Sequence, residues 1–381
     1  MINDILTSAG YLALEIKAES FTISPTANEF NYLITDKFLA NPTQPNIGIA
    51  LPVAELQITL SDYAKSTDIL ANSHSLTLTI QRGHSKEQIV ETLTYKVTNL
   101  DISIKDLPTI TLYATADLGD FITKTQQKAY PNSTSIDTLK QITSIPLSKK
   151  SSLSDITTSD SQTWIQHNTT DYHFICQLSK HINLPDDLLL FAINSHTLRI
   201  EPYLKSLSKK PDTLIQLGDK EQNSQYKNLI VADSAQIETS HGLLAYSLTK
   251  DTNIPVLNLR DTKVKPTDST PADHKVKDSF THSLTLPTRI DTGNTHPDYW
   301  NAYLSNQKSI ATIYNTTLYI TTTLSYLGNT LDLLDTADFK SDFLTDHSDT
   351  TQGTYLVSGV SCHQTKDTFT YQLTLCRSHF V

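Results

Sequence analysis

The feature that most constrains this chain is a period of two. Leu56, Ile58 and Leu60 alternate with Gln57 and Thr59; Leu76, Leu78 and Ile80 alternate with Thr77 and Thr79; Leu93, Tyr95 and Val97 alternate with Thr94 and Lys96. Such runs gather an apolar face only as strands, because strand side chains change sides at every residue while helical ones return every 3.6. "QRGHSKEQ" (81–88) reads as a hairpin loop between the last two runs, with "DISI" (101–104) and "TITLYA" (109–114) as further strands. The polar partners are largely Thr, whose branched Cβ suits a pleated face. Short antiparallel strands separated by turns predict a barrel or sandwich.

A different texture begins near residue 121. "NSTSIDTLKQI" (132–142) reads as a short helix capped by Ser133 or Ser135. "PLSKKSSLSDITTSDSQ" (146–162) reads as a polar loop. In "WIQHNTTDYHFICQLSKHINLPDD", Thr169 or Thr170 can cap a helix with Phe174, Ile175, Leu178 and Ile182 on one face and Pro185 as its stop. "LLLFAI" and "TLRIEPY" then form a hairpin over Asn194, Ser195 and His196. Short strands follow at "TLIQL", "NLIVA", "LLAYSL" and "PVLNL". Residues 261–279 combine Pro, mixed charge and almost no large apolar residue, the composition of an exposed loop. Pro297 and Asp298 open a helix carrying Trp300, Leu304, Ile310 and Ile313. "TTLYITTTLSYL" reads as a strand, "GNTLDLLD" as the start of another, "TADFKSDFLTDHSDTTQ" as an acidic loop, and 353–381 as a closing hairpin that staples a β-barrel.

The expected fold is mainly β with α+β insertions: two small antiparallel β-barrel-like domains and a helix-containing central domain. At 381 residues two or three domains are expected. We place an N-terminal barrel-like domain at 1–120, with strands from 204–260 as candidates to complete it. A central α+β domain at 121–260, an exposed loop at 261–281, and a lead-in helix with a C-terminal barrel-like domain at 282–381 complete the division.

Composition excludes several functions. A net charge of −10 lacks the basic face that counterion release requires, which argues against specific nucleic-acid binding. The largest basic clusters, "LSKK" at 147–150 and 207–210, read as solvated turns. Only 10 Gly are present, and phosphate loops and nucleophile elbows need them clustered. No run approaches 18 apolar residues, so no membrane insertion is expected, and the first residues lack the basic and apolar regions of a secretory signal. Three Cys in a large chain point to reduced thiols and a cytosolic folding compartment.

The chemistry-bearing residues have plain structural readings. Cys362, His363, Cys376 and His379 include metal-ligand types. With the hairpin turn at Gln364–Asp367, however, Cys362 faces Phe369, and Cys376 lies about 23 Å further along at ~3.3 Å per residue. His173 and Cys176 are three apart on a helix, the spacing of a nucleophile pair, but Cys176 lies on the apolar stripe, and neighbouring His167 and His181 add no motif. Asp335, Asp338, Asp342, Asp346 and Asp349 lack calcium-loop spacing. Trp164 and Trp300 sit at the starts of apolar helices, as core residues and not as the rim of a carbohydrate-binding adhesin. No catalytic, cofactor-binding or metal residue is assigned and no cofactor is expected. A cell-wall hydrolase or peptidase, or a carbohydrate-binding β adhesin, is the alternative.

Three stretches resemble the baseplate (tail) hub proteins of contractile-tailed bacteriophages, which are similar to the hub part of type VI secretion spikes and to late-control-D phage proteins. They are "ELQITLSDYAKSTDILANSHSLTLTIQRG", "SQTWIQHNTTDYHFICQLSKHINLPDDLLLFAINSHTLRIEPY" and "GNTLDLLD" with "GTYLVSGVSCHQTKDTFTYQLTLCRSHF". The turn "QTKD" departs from the family's usual Gly, and 204–297 matches poorly. The resemblance implies a non-enzymatic virion protein of the tail baseplate. It would form a homotrimeric ring whose six similar barrels adapt a sixfold tail tube to a threefold central spike around a channel, among surrounding baseplate proteins.

Overall fold

The computed structural model describes residues 11–59, 63–218, 225–239, 316–323, 330–341 and 352–377, apart from short gaps at 19–21, 24–30, 41–48, 73–74, 86, 105–107, 183, 185–186 and 366–367, together with four isolated three-residue strands. The expected loop at 261–281 lies outside the described residues save for one of those strands, and the expected helix around Trp300 lies wholly outside them.

The N-terminal strands are β1 (Tyr11–Lys17), β2 (Thr22–Ile23), β3 (Asn31–Leu39), β4 (Val53–Thr59), β5 (Thr77–Ser85), β6 (Gln88–Ile104) and β7 (Pro108–Ala116), with helix α1 (Tyr63–Ala71) between β4 and β5. The alternation does what the sequence demands: Leu56, Ile58, Leu78, Ile80, Leu93 and Tyr95 are buried, and their polar neighbours face out. The loop expected at 81–88 is mostly strand, because β5 and β6 stay paired out to Ser85 and Gln88. "DISI" is not a separate strand either. It is the end of the 17-residue β6, in which a bulge between Val97 and Asn99 resets the side-chain phase.

The central region holds α2 (Asp120–Thr123), β8 (Thr125–Ser133), α3 (Ser135–Lys140), β9 (Gln162–Thr170), α4 (Asp171–Ser179), β10 (Leu189–Asn194), β11 (Thr197–Pro202) and α5 (Tyr203–Leu207). Thr134, not Ser133 or Ser135, caps α3, its hydroxyl accepting from the Asp137 N–H at 3.1 Å. Thr170 caps α4, accepting from the His173 N–H. That helix ends at Ser179, before Pro185. Trp164 lies on strand β9 and not on a helix; it is buried, and its indole N–H donates to the Ser133 carbonyl at 2.9 Å. Tyr130 stacks on Phe174 at 5.6 Å, fixing the β8–β9 ribbon to α4.

The remaining strands are β12 (Thr213–Leu217), β13 (Asn228–Ala232), β14 (Ser234–Thr239), β15 (Ala245–Ser247), β16 (Pro255–Leu257), β17 (Pro266–Asp268), β18 (Ser283–Thr285), β19 (Thr316–Thr323), β20 (Thr336–Ser341), β21 (Gly353–Thr365) and β22 (Phe369–Arg377). The acidic stretch expected as a loop begins instead with β20. Ala337, Phe339 and Ser341 point inward there, while Thr336, Asp338 and Lys340 are partly or fully exposed. "GNTLDLLD" does not begin a strand; its described residues form the turn that leads into β20. The strands of 213–239 pair with β19 and β20, not with the N-terminal set. Three of the pairings, β12 with β13, β12 with β20 and β15 with β18, are parallel, a departure from the antiparallel expectation.

One 14-stranded sheet links everything except the short ribbons. Its C-terminal part closes on itself. The order β13-β12-β20-β21 continues through β22 and β19 to β14, and β14 is the direct continuation of β13 past Asp233. The Asp233 N–H donates to the Thr321 carbonyl at 2.8 Å across that junction. The N-terminal part runs β3-β4-β7-β6-β5-β1 and curls, since Arg82 on β5 reaches Asp36 on β3 although three strands separate them in the sheet. Strand β21 serves both parts. Gly353–Leu356 pair with β20, a bulge falls at Ser358, and Gly359–Thr365 pair with β3. The chain is therefore mainly β, with two barrel-like halves that share one long strand.

Candidate functional site

Two features follow from this continuity: a buried charged seam inside, and a largely polar face outside. Asp36 and Arg82 are fully buried on β3 and β5, and Gln364 is buried on β21. The Arg82 guanidinium ion-pairs with Asp36, donates from Nε to Gln364 Oε1 at 2.9 Å, and donates from Nη1 to Glu91 Oε2 at 3.2 Å. It lies 5.8 Å from the centre of the Phe369 ring. Burial alone would lower the Arg82 pKa, but Asp36, the Cys362 thiol and Glu91 outweigh it and leave the pKa raised. Burial also raises Asp36, against the pull of Arg82 and His363. A buried pair of this kind contributes little net stability but is costly to break. Its effect here is positional: one side chain joins four strands from both halves.

A second ionic group fixes the central module to the C-terminal half. Arg199 on β11 donates from Nη1 to Asp335 Oδ1 at 2.6 Å and to the Leu333 carbonyl at 2.9 Å. Lys150 reaches Asp332 at 2.7 Å and Asp335 at 3.0 Å. Burial pushes the Asp335 carboxyl up, but Arg199 and Lys150 overcome it and hold the pKa below its ordinary value. Leu334 adopts φ 67° within this turn, a conformation that a branched residue keeps only when its surroundings impose it.

The outer face is built by register. Starting from Gln372 on β22, the cross-strand row runs to Ser361, Lys37, Val53, Thr115, Lys96, Thr77 and Lys17 on successive strands. The next rows hold Thr370, His363, Thr35, Glu55, Tyr113 and Asn99, then Leu33, Gln57, Thr111 and Asp101. Among the described outward positions from β14 to β1, Lys17, Lys37 and Lys96 stand against Glu15, Glu55, Asp101 and Glu238. The face is thus hydroxyl-rich and nearly balanced in charge, and the chain's −10 is carried elsewhere.

The residues singled out for chemistry do not converge. Cys362 faces Tyr371, not Phe369, and Cys376 pairs with Leu356, five residues beyond Tyr371 and about 17 Å along at ~3.3 Å per residue. Cys176, Cys362 and Cys376 are free and buried. The His363 ring bonds Thr35 Oγ1 at 3.0 Å, and the His173 ring bonds Thr170 Oγ1 at 2.8 Å instead of approaching the thiol. Cys176 Sγ accepts from the Ile49 N–H at 3.4 Å, and burial raises its pKa, the reverse of an activated nucleophile. Of the acidic set, Asp335 serves Arg199, and Asp338 accepts from the Tyr226 and Thr354 hydroxyls at 2.7 and 2.6 Å. Asp342, Asp346, Asp349, His379 and Trp300 lie outside the described residues. Among the described residues no group of three His, Cys, Asp or Glu is placed to hold a metal, and no helix is long and apolar enough to cross a membrane. The seam residues Arg82, Asp36 and Gln364 were missed in the sequence; a lone Arg inside an alternating strand, at a position facing the core, was the available signal.

The sequence itself matches no protein-family model and no curated protein. The fold does have counterparts among solved structures. The 43 kDa tail protein of prophage MuSo2 from Shewanella oneidensis aligns over 97% of both chains with a TM-score of 0.56 at 11% identity. A tail protein from Neisseria meningitidis MC58 aligns over 96% of both chains with a TM-score of 0.51 at 13% identity. This chain shares the fold of those tail proteins. The alignments take in nearly the whole of each chain, so the likeness is one of overall fold and not of a single module. At such identity the side chains have largely been replaced.

Proposed function

We propose that the chain is a structural hub of a phage tail baseplate, without catalysis. Three copies would form a ring around a channel. The two barrel-like halves of each copy would supply six similar seats for a sixfold tail tube on one side, and the ring would hold a threefold spike on the other. The domain division proposed with it is one half built on β1–β7, a central α+β module, and a second half built on β12–β14 and β19–β22. The protein would fold in the host cytoplasm and reside in the virion tail.

The observation that carries this reading is the unbroken sheet in a shared tail-protein fold. A symmetry adapter must keep two seats at a fixed spacing, and one strand common to both halves does so more rigidly than a linker. The hydroxyl-rich, charge-balanced outer face suits a channel wall: its exposed Leu33 and Val53 stand singly among polar neighbours, and it offers no strong field for passing cargo. Such a face supports a lumen that is nearly neutral.

Sedimentation and particle imaging test the proposal. A threefold ring with obligate interfaces above ~2,000 Å² per contact is expected. Monomers at high concentration, both alone and with tail-spike protein, would overturn it.

A further inference from the structure

We propose that the cleft at the meeting point of the two halves docks a partner protein through an arginine or lysine side chain carried on an extended segment. The cleft measures about 390 Å³ and is walled by β6, the β10–β11 turn, the 330–333 turn and strand β21. Its floor is apolar: Phe38, Leu331, Val360, Cys362 and Tyr371 are all buried there. Its lip carries Glu91 and Asp332 from opposite walls.

Each carboxylate is anchored through one oxygen. Glu91 Oε2 accepts from Arg82 at 3.2 Å and Asp332 Oδ2 accepts from Lys150 at 2.7 Å. The second oxygen of each carries no protein hydrogen bond among the described residues. Burial raises the Glu91 pKa against the pull of Arg82, and Asp36 and Asp332 add to the rise, so the two lip carboxylates sense each other. A cation between them can bond the oxygens that Arg82 and Lys150 leave free. A methylene stem covers the apolar floor while the charged head stays at the lip, the division of labour that Arg and Lys side chains perform. Nucleic acid is disfavoured, since phosphates would meet the carboxylates first.

A protein segment fits better than a free cation. The β5–β6 hairpin beside the cleft exposes Ile89 and Val90, at 41% and 55%. An apolar rim next to an acidic lip calls for apolar residues flanking the cation. Alternate side chains of an extended strand place them on one side.

The test uses the full chain and two blocked heptapeptides, Leu-Thr-Val-Arg-Val-Thr-Leu and the same sequence with Gln for Arg, titrated with NMR detection. The Arg peptide is expected to saturate and to shift the amides of Val90, Ser195 and Asp332, with the Gln twin about tenfold weaker. Asp332→Asn and Glu91→Gln should each remove most of that difference. Asp332→Asn serves as the main variant because Asp332 is half exposed and lies outside the buried Arg82–Asp36 pair. Equal binding of both peptides, binding unaltered in both variants, or no saturation at millimolar peptide would overturn the proposal. So would concentration-dependent self-association lost in Asp332→Asn, which would make the occupant a second copy of this chain.

Discussion

Arg82 and Gln364 are 282 positions apart in the sequence and 2.9 Å apart in the fold. That bond, with the Arg82–Asp36 ion pair beside it, ties the N-terminal strands to the shared strand β21. Replacing Arg82 by Met strips the fully buried Asp36 of its cation, and should cost about 3–5 kcal/mol. The double variant Arg82→Met, Asp36→Leu should recover most of the loss, because neither charge is then stranded. Urea denaturation of the three proteins measures this. A single variant as stable as the parent would show that the seam does not hold the halves together.

Two bulges depend on glycine for space, one at Gly83 in the β5–β6 pairing and one beside Gly359, where β21 changes partners. A Cβ on Gly83 would stand 2.2 Å from the Gln88 carbonyl oxygen and 2.8 Å from the Ile89 Cα, both backbone atoms that cannot step aside. A Cβ on Gly359 would meet side-chain atoms of Thr374 and Leu39 at 3.1 and 3.2 Å, which can shift slightly. Gly83→Ala should therefore cost about 2–4 kcal/mol and Gly359→Ala about 1 kcal/mol. The reverse order in denaturation midpoints would contradict this account of the β5–β6 hairpin.

Acid should loosen the central module first. The Asp335 pKa is held below its ordinary value by Arg199 and Lys150 despite burial. The stability it contributes is complete above the unfolded value of about 4 and is lost as pH falls through the lower folded value. Asp335→Asn should thus lower stability at pH 7 and shrink the difference between pH 7 and pH 3. Denaturation at the two pH values reads the effect. An unchanged pH difference would remove Asp335 from the linkage.

The three thiols should be silent in the native protein. Burial raises all of them, Cys376 to about 12, so at pH 8 almost no thiolate forms there. A disulfide-exchange reagent should label none of them in the folded protein and all three after denaturation. Rapid native labelling of Cys176 would revive the nucleophile reading that its burial argues against.

How far the fold could be read in advance differs along the chain, for physical reasons. Strands β4, β5 and β7 were legible because Leu, Ile and Thr alternate without interruption. Strand β20 was hidden by charge. Asp338 looks like loop chemistry until Tyr226 and Thr354 are seen donating to it, and these partners come from residues distant in sequence. Trp164 was assigned to a helix because the cap at Thr170 was recognised while the strand leading to it, rich in Thr and Asn, was not. The joining of the halves left no local trace at all. The β21–β3 pairing brings Thr35 to His363, 328 residues away, and no window of sequence contains both. The polar face was legible residue by residue, but its extent depends on registers that only the assembled sheet defines.

That face offers the most direct check on the channel reading. Thr79 on β5 sits opposite Thr94 on β6, and Thr111 lies outward on β7; all three are partly exposed. Changing them together to Val keeps the branched Cβ that favours a strand and removes only the hydroxyls. If the hydroxyls serve a wetted wall, folding stability should stay within about 0.5 kcal/mol per site, as for other surface changes, while binding of an apolar dye to the folded protein rises. A loss above about 1.5 kcal/mol per site would mean that the hydroxyls hold the sheet together rather than face a lumen. The neutral channel wall would then lose its support, even though the shared fold would stand.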